Sequence, residues 1–197
     1  MSGEIIEKTV NAINKEIRNS PWKNRPAKTI FFGGGTPTFL EESQLIKILD
    51  TVLEIHPPIP GAEITSEANP GTVDIPKFSS MRKAGFNRIS LGAQSFHKED
   101  LIKLGRVHEA THVGKAVTSA RQAGFDNINL DLMFSLPVQS IFGWKENLEL
   151  AFQLNPEHLS LYCLTIEANT RFYKLNLKGM LDLPKEEQQV QMYEIAL

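Results

Sequence analysis

The chain has 197 residues, 41% of them hydrophobic and 22% charged, with a formal net charge of −2. That length and composition suit one globular domain with a sizeable core, and the near-neutral balance offers no electrostatic capture of nucleic acid or of an anionic membrane. No apolar run approaches a bilayer span, Met1-Ser2-Gly3-Glu4 lacks a signal-peptide layout, and the single cysteine, Cys163, excludes an internal disulfide or a multi-cysteine metal site. A reducing, cytoplasmic setting is the expectation.

Ile6, Val10, Ile13 and Ile17 recur at helical spacing and predict an amphipathic helix that Asn19-Ser20-Pro21 stops. A polar loop carrying Trp22 follows. Thr29-Ile30-Phe31-Phe32 then reads as a buried strand running into Gly33-Gly34-Gly35, where a ligand can approach peptide groups with no Cβ in the way. Thr38 and Glu41 read as a capping box for the next helix. Strand, glycine turn and helix start together form a pocket of N–H groups suited to a carboxylate or phosphate; a tight turn without a ligand is the competing reading. The dinucleotide pattern fails, because its last glycine falls on Thr38, and no Gly-Lys-Ser/Thr follows to make a phosphate loop.

Leu45, Ile48, Leu49, Val52 and Leu53 mark one face of a second helix, closed by His56-Pro57-Pro58. Ala62 to Glu67 reads as a strand and Ala68-Asn69-Pro70-Gly71 as its turn; Asp74 and Pro76 open a helix that ends at Gly85. Here a repeat appears. Arg82-Lys83-Ala84-Gly85-Phe86-Asn87-Arg88-Ile89-Ser90-Leu91 is echoed by Arg121-Gln122-Ala123-Gly124-Phe125-Asp126-Asn127-Ile128-Asn129-Leu130. Each copy is a helix end, a C′ glycine, an apolar residue and an alternating strand. Trp144, Leu148 and Phe152 lie on one face of a further helix that Asn155-Pro156 stops, and Leu159 to Leu164 reads as a fifth strand. Alternating β and α units imply a parallel sheet with right-handed crossovers. Both a (β/α) barrel and an open doubly wound sheet fit this pattern.

Every predicted strand ends in polar or glycine positions: Gly33 to Thr36, Glu67, Gln94, Asp131, and Thr165 with Glu167. The C-terminal strand edges of parallel α/β folds line the ligand site. One acid at a strand end is often a helix cap. Five such ends predict a converging site.

Six ordered blocks then meet a known pattern. They are Gly33-Gly34-Gly35-Thr36-Pro37-Thr38, Glu67-Ala68-Asn69-Pro70-Gly71, Arg88 through Gln94 to Phe96, Leu104-Gly105-Arg106-Val107-His108, Asp131 through Pro137, and Ser160 through Glu167. In this the chain closely resembles the radical S-adenosylmethionine proteins related to oxygen-independent coproporphyrinogen III oxidase, in particular the haem chaperone HemW branch. The resemblance implies a partial (β/α) TIM-type barrel over residues 1–182, holding S-adenosylmethionine in a setting of porphyrin metabolism, with 183–197 expected to be the start of a truncated C-terminal helix, short of the family's C-terminal domain. By position, Gly34, Gly35 and Thr36 look like the loop that meets the methionine end of the cofactor, and Glu67 like the carboxylate on the nucleoside. Gln94, Arg106, Asp131 and Thr165 fall where the oxidase lines a second S-adenosylmethionine site, which the HemW branch need not use. Haem or porphyrin is the implied partner; no nucleic acid is.

The departures carry weight too. The family holds a [4Fe–4S] cluster on Cys-x-x-x-Cys-x-x-Cys, expected upstream of the first helix here, and one thiolate within the fifth strand cannot replace three. The chain as given is therefore expected to lack radical chemistry. Ser135 stands where relatives usually carry glycine before Leu136-Pro137. Among rival signals, His108-Glu109-Ala110-Thr111-His112 matches the zinc-protease pattern H-E-x-x-H. Thr111 reads instead as an N-cap, which places His108 before the helix and argues against a shared metal. A lyase built on Glu67 and Asp131 lacks a strand-end lysine for Schiff-base chemistry, and a non-catalytic haem- or partner-binding module is the alternative that the chaperone branch implies.

Overall fold

A computed structural model describes residues 3–106 and 108–197 of the chain. The first half runs α1 (Gly3–Arg18), β1 (Ala27–Phe32), α2 (Glu42–Ile55), β2 (Pro58–Ala68), α3 (Ile75–Ala84) and β3 (Arg88–Gln94). The second runs α4 (Lys98–Lys103), α5 (Ala110–Gln122), β4 (Ile128–Phe134), α6 (Ile141–Gln153), β5 (His158–Cys163), α7 (Arg171–Leu177) and α8 (Glu186–Ala196). Val107, inside one of the six blocks, lies outside the described residues, as do Met1 and Ser2.

All strand pairs are parallel and the order is β1-β2-β3-β4-β5. That order settles the choice the sequence left open. A doubly wound sheet reverses its direction of growth at a switch point, whereas here each new strand joins the edge its predecessor left free, as in a barrel. Among the described residues the result is a partial barrel of five strands, with β1 and β5 as its edges.

The repeat is the device that feeds each strand. Gly85 (φ 117°) and Gly124 (φ 91°) sit in the left-handed region, and the next amides close the helix ends, Phe86 N–H to Met81 O at 3.1 Å and Phe125 N–H to Ala120 O at 3.0 Å. The arginine opening each copy braces its own turn: Arg82 donates to Phe86 O and Arg121 to Phe125 O. Each also reaches the following turn, Arg82 to Gly124 O and Arg121 to Asn155 O. One local sequence thus closes a helix and ties it to its neighbour.

Alternation within the strands divides the sheet. Ile30, Ile64, Ile89, Leu91, Ile128, Leu130, Leu132 and Phe134 face the helices and join Leu45, Leu49, Phe78, Phe125, Val113 and Trp144 in one core. Three expectations change at the local level. Thr38 does not cap α2: Pro37 nucleates a short 3-10 turn over Pro37–Phe39, so the N-cap falls to Glu41, whose N–H donates to Gln44 Oε1 at 3.2 Å. Phe152 is 60% exposed, because the apolar stripe of α6 covers the sheet only as far as Ala151. β2 begins four residues early, where Gly61 (φ 78°) and a register shift against β1 carry the strand past Pro58. Ser135 adopts φ 61°, a backbone region that glycine occupies without strain, which accounts for the glycine expected there.

The terminal helix is part of this packing. Trp144 and Met192 are both fully buried, and the Trp144 Nε1–H donates to Met192 O at 2.8 Å. Trp144→Phe removes that donor and leaves a carbonyl and a small void behind, which costs about 1–3 kcal/mol. Urea unfolding followed by circular dichroism is expected to show this loss; a variant as stable as the parent means that α8 does not dock as described.

Candidate functional site

The second face of the sheet is polar. Glu67 on β2 lies opposite Ser90 on β3, Ser90 opposite Asn129 on β4, and Asp131 opposite Ser160 on β5. These residues share one parity along their strands, so they project together into the hollow of the partial barrel. Toward the C-terminal ends of the strands the hollow becomes a cavity of about 240 Å³, lined by Gly35, Thr36, Glu67, Ala68, Asn69, Ser90, Gly92, Gln94, Arg106, Asp131 and Tyr162.

The glycine loop forms one wall. Gly34 and Gly35 have φ of 87° and 60°, and a Cβ at either would meet nothing within 4 Å. Backbone conformation, not space, calls for glycine at both. Gly33 is different, since its Cβ would strike the Phe31 ring at 2.6 Å. The Gly34 N–H donates to Glu67 Oε2 at 3.1 Å. The loop therefore holds one of the protein's own carboxylates, and Glu67 keeps Oε1 as its unoccupied oxygen for a ligand. The loop is braced from behind, where Thr38 Oγ1 pairs with Thr72 Oγ1 at 2.8 Å and the Lys77 ammonium donates to Thr38 O and Leu40 O.

Asp131 forms the floor. It lies in the middle of β4, not at the strand end that the sequence suggested, because β4 continues to Phe134. Its Oδ1 accepts from Asn129 Nδ2 at 2.7 Å, and Ser90 Oγ lies 3.2 Å from both of its oxygens. Burial holds its carboxyl above the usual 3.8; bonds from Asn129, Ser90 and Ser160 oppose that rise, and the negative charge of Glu67 adds to it. Arg106 is exposed at the rim. Two carboxylates and one guanidinium around one hollow suit a ligand bearing both positive and negative groups.

Six of the expected residues, Gly35, Thr36, Glu67, Gln94, Arg106 and Asp131, meet in this cavity. Gly34 faces a neighbouring apolar cavity of about 410 Å³ and reaches the polar one through its bond to Glu67. Thr165 is exposed, lies beyond the end of β5 and is not among the lining residues. The strand-end rule missed Ser90, Gly92 and Tyr162. Period-two counting back from Gln94 reaches Gly92 and Ser90, so the signal was present.

The histidines of the H-E-x-x-H segment have separate duties. Glu109, not Thr111, is the N-cap of α5, and His112 Nδ1 accepts the Glu109 N–H at 3.1 Å. Glu109 takes the cap position because the His112 amide closes on the Glu109 backbone carbonyl at 2.9 Å while the His112 ring returns to the Glu109 N–H, which leaves Thr111 inside the first turn. His108 is 3% exposed, and its Nε2 bonds Ala93 O at 3.1 Å, which makes Nε2 the protonated nitrogen.

The family profile of the Radical SAM superfamily matches residues 1–151. The heme chaperone HemW of Bacillus subtilis is 41% identical over 195 residues, which is 98% of this chain and 52% of that protein. HemW of Escherichia coli is 43% identical over 169 residues, 86% of this chain and 44% of that protein. The chain thus spans about half the length of these relatives. Among solved structures, coproporphyrinogen III oxidase (HemN) of Escherichia coli, a radical SAM enzyme, superposes with a TM-score of 0.82 at 26% identity, covering 95% of this chain and 44% of that one.

The iron–sulfur cluster of the family does not fit the residues present. Cys163 is exposed at the end of β5, with its sulfur 4.0 Å from Leu164 O and from Gln189 Oε1. Among the described residues no three Cys, His, Asp or Glu side chains converge to replace the missing thiolates. No helix among them is long and apolar enough to cross a membrane.

Two titrations of opposite sign follow. Burial lowers the His108 pKa below 6.5, against the bond to Ala93 O that favours the charged form, and the Arg106 and His112 charges lower it further. The unfolded chain then binds more protons, so stability is full above 6.5 and falls as pH drops through the folded pKa. His108→Gln, which can keep a donor toward Ala93 O, flattens that slope. Asp131 behaves the other way. The folded state binds its proton more tightly, so stability declines as pH rises from 3.8 through the raised folded pKa, and Asp131→Asn gains on the parent over that window. Urea unfolding at several pH values measures both; parallel pH profiles for parent and variant would remove the assignment concerned.

Proposed function

Because the chain belongs to the Radical SAM superfamily, we propose that its polar cavity binds S-adenosylmethionine and that the protein serves porphyrin (haem) metabolism. The observation that carries this reading is the charge pattern of the cavity, Glu67 and Asp131 with Arg106. S-adenosylmethionine bears a sulfonium, an ammonium and a carboxylate, so it asks for anions and a cation in one place. In this reading Gly34, Gly35 and Thr36 border the methionine end, and the free oxygen of Glu67 accepts a ribose hydroxyl. Gln94, Arg106 and Asp131 hold the polar groups of the same or a second molecule; Thr165 belongs to that set only if the segment after β5 folds inward.

Radical chemistry on S-adenosylmethionine would require a reduced iron–sulfur cluster beside it. The residues present hold no such cluster, so their work here is to bind and orient. Asp131 accepts from Ser90 and Asn129 and offers its remaining lone pairs to a ligand cation. Handling of haem is proposed for the whole protein, on the strength of relatives twice as long as this chain. Likeness to those named heme chaperones also favours a second reading, a haem- or partner-binding module without catalysis. Haem titration separates the two, since a shifted Soret band without S-adenosylmethionine binding favours the module. A cytoplasmic location is proposed as well, supported by the lone unpaired Cys163.

Equilibrium dialysis with labelled S-adenosylmethionine tests the main reading. A charge-assisted hydrogen bond contributes roughly 1.5–3 kcal/mol, so Glu67→Gln is expected to weaken binding about ten- to a hundredfold. Gly34→Val abolishes it, because a β-branched residue resists the φ of 87° that aims the loop amide at Glu67. Lys115→Ala, an exposed change on α5, leaves it unaltered. Equal binding by Glu67→Gln removes the nucleoside contact, and no binding by the parent at millimolar ligand removes the reading itself.

A further inference from the structure

Gln94 occupies a conformation that side chains rarely take. Its φ is 66°, and the Ser95 N–H bonds back to Ala93 O at 2.8 Å, which makes a γ-turn centred on Gln94. Such turns with positive φ are rare and strained. The register of β3 against β4 also slips between Leu91 and Gln94, so that β3 carries one extra residue, a bulge of the kind that re-aims a side chain. Both devices act on one group. The Gln94 amide folds back over Gly92, where a Cβ would come within 3.0 Å of its Nε2, and so lies on the wall of the polar cavity.

Strain of this sort persists only where the surroundings over-determine it. The surroundings here are a buried polar cluster on the helix side of the sheet. Asn147 of α6 is fully buried; its Oδ1 accepts the Phe96 N–H at 2.6 Å and lies 3.1 Å from Ser95 Oγ, whose one proton it shares with Asp100 Oδ2, while its Nδ2 donates to Gly143 O. Ser95 Oγ lies 2.9 Å from Asp100 Oδ2 and accepts the His97 N–H at 3.1 Å. Gln139 Nε2 lies 3.4 Å from that same Asp100 oxygen. None of Ser95, Asp100, Asn147 or Gln139 lines the cavity.

We propose that Asn147 is a positioning residue for the cavity: by fixing the amide and hydroxyl that follow the γ-turn, it holds Gln94 in its left-handed conformation and the Gln94 amide on the ligand-facing wall. Removing Asn147 lets the turn relax toward negative φ, and relaxation swings the amide off Gly92. The residue acts through Gln94 and touches no ligand itself. The proposal rests on the cavity being the ligand site of the preceding reading.

The test combines binding with a readout that needs no ligand. In the ¹⁵N spectrum of the ligand-free protein, Asn147→Ala is expected to move the Gln94 side-chain amide resonances toward the values of a solvated glutamine. In dialysis with labelled S-adenosylmethionine it is expected to weaken binding about tenfold, and the Gln94→Ala/Asn147→Ala double variant to bind no worse than Gln94→Ala alone, because the two changes remove the same contact. Ser95→Ala, a smaller change that keeps the Asn147 bond to Phe96, shifts the Gln94 resonances the same way by less and serves if Asn147→Ala does not fold. An unmoved Gln94 amide in both Asn147→Ala and Ser95→Ala, or losses that multiply in the double variant, overturns the proposal. If the parent binds no S-adenosylmethionine, the preceding reading fails while the Gln94 resonances still decide whether Asn147 sets the turn.

Discussion

Asn129 is the side chain on which the hollow of the sheet depends. A primary amide has two donors and two acceptor positions, and here all four are engaged. Its Nδ2 donates to Ser90 Oγ and to Asp131 Oδ1, and its Oδ1 accepts from His158 Nδ1 and Ser160 Oγ. One residue thus links β3, β4 and β5 across the face that the helices do not cover. Buried amides are costly unless satisfied, so this saturation is what allows a polar layer 1% exposed at its centre to sit where a packed barrel would place apolar side chains.

That layer decides the chemistry above it. With Asn129 and Ser90 donating into its inner side, Asp131 keeps a fixed orientation and turns its remaining capacity to the cavity. Glu67 is fixed from the other side, by the Gly34 N–H. The two acids are therefore held by different devices, one by side chains of the sheet and the other by a loop that needs φ of 87° and 60° at consecutive glycines. Neither depends on the exposed Arg106, which meets them from a segment outside the sheet.

A second polar cluster, centred on Asn147 and Ser95, lies on the opposite side of β3. The first cluster sets the floor of the cavity and the second sets the turn at its wall. Between them runs an apolar sheet layer of Ile89, Leu91, Leu130 and Leu132. This layer is where most of the burial lies, and its close packing keeps the two clusters in fixed relation.

The alternation of strands and helices, the repeat at Gly85 and Gly124 and the glycine loop were all legible in the sequence, because each is local. A C′ glycine, a β-branched run and an N-cap act within a few residues of themselves. The six ordered blocks carried the family for the same reason, being short stretches whose order survives in the chain. Where local rules compete the sequence misled: Thr38 and Thr111 both looked like caps, yet the helices start at Glu41 and Glu109, whose N–H groups are taken by the Gln44 and His112 side chains. Only the tertiary structure decided that the sheet grows in one direction, that Asp131 stands mid-strand over Asn129, that Glu67 already holds a glycine amide, and that Thr165 lies apart from the cavity. Each of those depends on which strand lies beside which and in what register, and the sequence of a single strand contains no record of its neighbour's register.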